Sequence, residues 1–123
     1  MNFNDNFLYS SVFINTLEHL GLKNAVISPG SRNTPLIAAL DSNTNIIKTV
    51  ILDERSAAFF ALGVAKATDN PVLLVTTSGT AVTELYPAIV EAFQSRIPLI
   101  VCTADRPEYL LNCGENQTIN QDN

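Results

Sequence analysis

Two kinds of apolar run alternate along the chain. Short β-branched stretches stand at Ala25–Ser28, Ile46–Leu52, Val72–Thr76 and Leu99–Cys102, and between them lie segments whose apolar residues recur at helical spacing. Such alternation is the pattern of βαβ units. The strand runs lack the apolar-polar alternation of a sheet with one wet face, so they are expected to be covered on both faces, in a parallel sheet joined by right-handed crossovers. The expected fold is a three-layer α/β/α sandwich with a parallel, doubly wound sheet, and 123 residues suffice for one domain.

Four helices are expected. The first runs from about Asp5 to Leu20, with Leu8, Val12, Phe13, Leu17 and Leu20 on its buried face and Gly21 free to take the left-handed position that ends a helix. The second opens at Thr34-Pro35, Thr34 as cap and Pro35 at the first helical position. The third, from Glu54 to about Ala67, carries apolar residues on nearly all sides and is expected to be deeply buried. The fourth follows Ser78-Gly79 and reaches about Gln94, with Pro87 kinking it. The polar segment from Asn112 to Asn123 reads as a loop.

Charge narrows the function. A formal net charge of -5, with seven Lys and Arg, leaves no basic stripe for a phosphate backbone, so nucleic acid is not an expected partner. No apolar run approaches a membrane span and the first residues lack a secretory pattern, which makes a cytoplasmic protein the expectation. Cys102 and Cys113 match no metal-ligand spacing and are expected to be reduced thiols, Cys102 closing a buried strand.

In an open α/β sheet ligands bind beyond the carboxyl ends of the strands. After the first strand comes Ser28-Pro29-Gly30-Ser31-Arg32-Asn33-Thr34-Pro35, a glycine turn feeding a helix, suited to a carboxylate or phosphate or simply a turn with a solvated arginine. After the second comes Asp53-Glu54-Arg55. Here a helix cap and a first-turn acid explain both carboxylates without any catalysis; a partly desolvated Glu54 able to trade a proton is the alternative, and spacing does not decide between them. After the third comes Thr77-Ser78-Gly79-Thr80, and after the fourth Thr103-Ala104-Asp105-Arg106-Pro107, followed by Gly114-Glu115-Asn116-Gln117. His19 lies away from this edge.

Taken in order, these five motifs, with Ala61-Leu62-Gly63 after the second and Ala81-Val82 after the third, resemble the thiamine-diphosphate-dependent 2-succinyl-5-enolpyruvyl-6-hydroxy-3-cyclohexene-1-carboxylate synthase family, over about residues 8–121. The glutamate that heads the third helix is shared with many thiamine-diphosphate enzymes, whereas the first and fourth motifs look particular to this family.

The resemblance implies an enzyme of menaquinone biosynthesis that decarboxylates 2-oxoglutarate and adds the remaining four-carbon unit to isochorismate. It implies that Glu54 hydrogen-bonds the ring nitrogen of the cofactor's aminopyrimidine and that Ser78, Gly79 and Thr80 lie beside that ring. Ser31, Arg32 and Arg106 would hold substrate carboxylates, a task suited to the planar fork of arginine. Asn116 and Gln117 would position substrate or cofactor. The family's diphosphate and Mg²⁺ are held by a Gly-Asp-Gly motif and a later Asn on another domain, neither of which occurs here. Residues 1–123 are therefore expected to be the front of a pyrimidine-binding domain, four strands of six, inactive alone and part of a homodimer or homotetramer when complete. Two further readings stay open: a pyrimidine-domain subunit of a split thiamine-diphosphate enzyme, and a non-catalytic anion-binding α/β module.

Overall fold

The computed structural model describes residues 5–111 and 113–121. Four strands, β1 (Asn24–Ile27), β2 (Ile47–Val50), β3 (Val72–Thr76) and β4 (Leu99–Thr103), alternate with α1 (Asp5–His19), α2 (Thr34–Ser42), α3 (Glu54–Thr68), α4 (Thr80–Glu84) and α5 (Tyr86–Ser95). A 3₁₀ turn, Glu108–Leu110, follows β4. All strand pairs are parallel, in the order β2-β1-β3-β4. The expected three-layer, doubly wound α/β fold is therefore the fold found.

Successive strand residues point to opposite faces, and the core divides accordingly. Ala25, Ile27, Leu73 and Val75 pack with Ile14 of α1 and Ala39 and Leu40 of α2. Val26, Val72 and Leu74 pack with the alanines of α3 and with Leu85 and Ala88 beside α4 and α5. Only β1 and β3 are covered as the apolar runs suggest. β2 is an edge strand with Ile47 and Val50 more than half exposed, and β4 is half-buried along most of its length.

The register is level. Asn24 stands opposite both Ile47 and Val72, and Val72 opposite Leu99. Pairing continues past the strands: the Ser28 amide donates to Val75 O, Ile51 to Ile27 O and Ala104 to Thr76 O. The residues that follow each strand consequently emerge along one edge.

The helices depart from expectation in four places. On α1 the buried residues are Ser10 and Ile14, with Phe13 and Leu17 packed beside them, whereas Leu8, Val12 and Leu20 are exposed. The small Ser10 is buried, at a position no hydrophobicity pattern marks, on a helix that packs against α2. Thr34 does not cap α2. Its Oγ1 donates to Ser31 O, and Asn33 stands at the cap position with its side chain engaged elsewhere. On α3 the buried face is Ala57, Ala58, Ala61, Leu62 and Ala65, while Phe59 and Phe60 are turned outward. The expected fourth helix is two helices meeting at Leu85, because Pro87 in the first turn of α5 has no N–H to continue the ladder. Gly21 does take a positive φ, at 100°.

Asp53 caps α3, its carboxylate accepting from the Ser56 amide at 2.7 Å. The hydrogen bonds from Ser56 hold its carboxyl below the ordinary value of 3.8. A carboxyl depressed by folding stabilises the fold above its unfolded value and loses that contribution as pH falls through the folded one. Asp53→Ala is expected to lower the melting temperature at neutral pH, with a deficit that shrinks once the pH drops below 3.8 and disappears in stronger acid. Thermal unfolding followed by circular dichroism across that range checks it; a deficit independent of pH would contradict it.

Candidate functional site at the carboxyl edge of the sheet

The chain leaves β1 and β3 toward opposite sides of the sheet, so a crevice forms between their carboxyl ends. The turn after β1 is held by the buried Asn33, whose Oδ1 accepts from the Gly30 amide and whose Nδ2 donates to Ser28 O, both at 2.9 Å. The Ser28 hydroxyl donates across to Ile51 O at 2.8 Å and ties the turn to the end of β2. On the other side Gly30 lies against Thr77: a Cβ on Gly30 would sit 2.6 Å from the Cβ of Thr77. The turns after β1 and β3 therefore touch, and only glycine permits it.

After β3, Thr76, Thr77 and Ser78 are all buried. Among the described residues neither Thr76 Oγ1 nor Ser78 Oγ has a hydrogen-bond partner. Orphaned buried hydroxyls are rare, and each calls for a partner such as an ordered water or a ligand group. The next residue, Gly79, has φ 79°, and a Cβ there would fall 1.7 Å from Gln117 O. The polar segment near the C-terminus is a loop, as expected, but a fastened one. Gln117 O accepts from the Thr80 amide at 3.2 Å, and Gln121 Oε1 accepts from Gly79 N at 2.9 Å.

After β4 the arginine is buried. The Arg106 side chain is 4% exposed, with Nη1 donating to Glu115 Oε2 at 2.9 Å and Nη2 to Asn116 O at 3.0 Å. Arg32, after β1, places its Nη2 3.6 Å from the same Glu115 oxygen. An open cleft of about 540 Å³ lies here, lined by Ser31, Arg32 and the run from Cys113 to Gln117. Ser31, Arg32, Asn116 and Gln117 are thus brought together as the motifs suggested. Arg106 is not among the lining residues; it holds two of them in place, and its guanidinium is already engaged. Glu115, quoted in a motif but assigned no role there, is the residue that joins the two arginines. A single acid among amides, in a chain with one arginine in each flanking turn, is the signal that would have marked it.

Glu54 opens α3 directly after the β2 edge and is half-buried. Asp53 alone makes the cap, and among the described residues nothing pairs with the Glu54 carboxylate. Cys102 and Cys113 are free thiols, and burial pushes the Cys102 thiol up.

These features fit one half of a thiamine diphosphate site. A flat heterocycle with polar edges suits a carboxylate without a partner, two orphaned hydroxyls and a turn built from small residues. Among the described residues no group of three or more His, Cys, Asp or Glu is arranged to hold a metal ion.

A parallel α/β sheet with its polar residues gathered at the strand ends has the form of a ligand-binding domain, and comparison says which family it belongs to. Residues 9–123 match the model of the thiamine pyrophosphate enzyme N-terminal TPP binding domain, and the chain belongs to that family. More particularly, it is 57% identical over 116 residues to the 2-succinyl-5-enolpyruvyl-6-hydroxy-3-cyclohexene-1-carboxylate synthase of Trichodesmium erythraeum, covering 94% of this chain and 20% of that protein. The protein of the same name from Crocosphaera subtropica is 56% identical over 118 residues, covering 96% and 20% respectively. That from Shewanella frigidimarina is 48% identical over 116 residues, covering 94% and 20%. The resemblance drawn from the five motifs is borne out. The chain spans about one fifth of the length of these curated relatives.

The contact between Gly79 and Gln117 makes a prediction. Gly79→Ala meets both a left-handed φ and a backbone oxygen, so it is expected to cost about 1–3 kcal/mol and to detach residues 113–121 from the turn. Hydrogen exchange should then show the Thr80 amide losing protection. Wild-type protection in the variant would contradict the packing described.

Proposed function

We propose that this chain supplies the pyrimidine-facing half of the active site of a thiamine-diphosphate-dependent synthase, one that decarboxylates 2-oxoglutarate and adds the four-carbon unit to isochorismate in menaquinone biosynthesis. The observation that carries the reading is Glu54, a half-buried carboxylate with no partner among the described residues, heading α3 at the sheet edge where orphaned hydroxyls also lie. The names of the relatives support the choice of reaction.

When bound, thiamine diphosphate supplies the electron sink for decarboxylation and carbon–carbon bond formation. Glu54 would hydrogen-bond the ring nitrogen of the aminopyrimidine and so favour one tautomer of that ring. Ser78 would offer its unpartnered hydroxyl, and Gly79 and Thr80, their amides held by Gln121 and Gln117, would lie beside the ring. Ser31 and Arg32 receive a substrate carboxylate, Arg106 keeps that wall rigid, and Asn116 and Gln117 offer amides that both donate and accept.

The diphosphate and Mg²⁺ are assigned to protein outside residues 1–123, which form the front of the pyrimidine-binding domain in this reading. A homodimer or homotetramer would bring the two halves together. Exposed apolar residues on α3 and α5, Phe59, Phe60, Tyr86 and Phe93, support such contacts. No described helix is long and apolar enough to cross a membrane; a cytoplasmic location belongs to the proposal.

In the complete enzyme, Glu54→Gln is expected to slow hydrogen–deuterium exchange at the cofactor's thiazolium C2 by roughly 10²-fold or more. The amide fingerprint of the fold should stay unchanged. Exchange at the wild-type rate in a folded, cofactor-loaded variant would overturn the role given to Glu54.

A further inference from the structure

The cleft between the turn after β1 and the segment near the C-terminus brings three charged groups into contact, and their arrangement is unequal. Glu115 Oε2 lies 2.9 Å from Arg106, a short charge-assisted hydrogen bond, and 3.6 Å from Arg32, outside hydrogen-bond range. Arg106 is buried to 4% exposure and depends on that carboxylate, because an unpaired guanidinium there would be strongly unfavourable. Arg32 makes no hydrogen bond among the described residues and keeps its donors for a ligand. Glu115 itself is 45% exposed and lines the cleft.

We propose that Glu115 is a built-in counter-ion that limits the cleft to one ligand carboxylate at a time, received by Arg32, and so acts as a specificity-determining residue. The inference rests on the reading that this cleft receives a carboxylate substrate. Two arginines against one glutamate leave a single net positive charge. An incoming carboxylate takes the open fork of Arg32 and displaces only the weaker of the two Glu115 contacts, while Arg106 stays paired. A second negative charge on a compact ligand finds no further arginine among the described residues lining the cleft and faces the Glu115 carboxylate instead. The cleft therefore favours a ligand that presents one carboxylate, with any other acid group held some distance away, and disfavours small dianions. Asn116 and Gln117 follow Glu115 directly, so the Arg106 anchor that holds this carboxylate also holds the amides in register.

The test titrates the chain, labelled for arginine side-chain nitrogen resonances, with acetate and with malonate at constant ionic strength and mildly alkaline pH, reading the Arg32 signal. In the wild type the two affinities are expected to agree within roughly threefold. In Glu115→Gln, which keeps an oxygen acceptor for Arg106, both anions should bind more tightly, malonate by roughly tenfold and acetate by clearly less. Arg32→Gln should abolish both responses. Equal changes for the two anions, or none, in a folded Glu115→Gln variant would overturn the proposal. Should that variant not fold, the wild type decides: a malonate preference of roughly tenfold or more contradicts a cleft limited to one carboxylate, and parity sustains it. The titration needs neither cofactor nor turnover. A failed synthase assignment would appear as absent carbon dioxide release from 2-oxoglutarate by the complete enzyme with this selectivity intact in the chain; a failed role for Glu115 would appear as an unchanged ratio while the complete enzyme works.

Discussion

The level register of the parallel sheet is the constraint on which the rest depends. With Asn24, Ile47, Val72 and Leu99 aligned across the strands, the residues after each strand reach the same edge without any loop having to be long. The order β2-β1-β3-β4 then opens the crevice between β1 and β3, where Gly30 and Thr77 bring two turns into contact. The burial of β3 on both faces anchors this edge, since every residue from Val72 to Gly79 is buried. Small residues at the edge leave room for a ligand, and apolar layers on either side keep it from shifting.

Much of this was legible in the sequence because strand periodicity and turn chemistry are local. The four strands, the helix cap at Asp53 and the position of each motif after a strand follow from residues within a few positions of one another. What was not legible depended on distant partners. The buried stripe of α1, a helix that packs against α2, runs through Ser10, and Phe59 and Phe60 on α3 have no facing layer among the described residues. Arg106 was read as holding a substrate carboxylate; that its guanidinium also meets Glu115 and Asn116, nine and ten residues further along the chain, depends on partners no local pattern names. No local pattern reveals which arginine will be buried and which will stay free. The family resemblance carried the identification of the site further than any single turn could.

The site also divides by chemistry. At the β2 and β3 ends lie a carboxylate without a partner and orphaned hydroxyls, groups suited to the polar edges of a neutral heterocycle. Arginines and amides near the β1 and β4 ends suit an anion. In the proposed reading one sheet edge offers a cofactor-facing part and a substrate-facing part, with the Ser28–Asn33 turn between them and Gln117 and Gln121 fastened over the turn after β3. Burial of the cofactor-facing hydroxyls and partial exposure of Arg32 follow the same division, since a neutral ring is easily desolvated and a charged substrate has to arrive from water.

The most direct test of the central claim is a structure of the complete enzyme containing this chain, solved with thiamine diphosphate bound. The account requires a Glu54 carboxyl oxygen within about 2.6–3.2 Å of the aminopyrimidine ring nitrogen, with the ring seated on the Ser78–Thr80 turn. A ring nitrogen paired to some other group, with Glu54 directed into solvent, would contradict it.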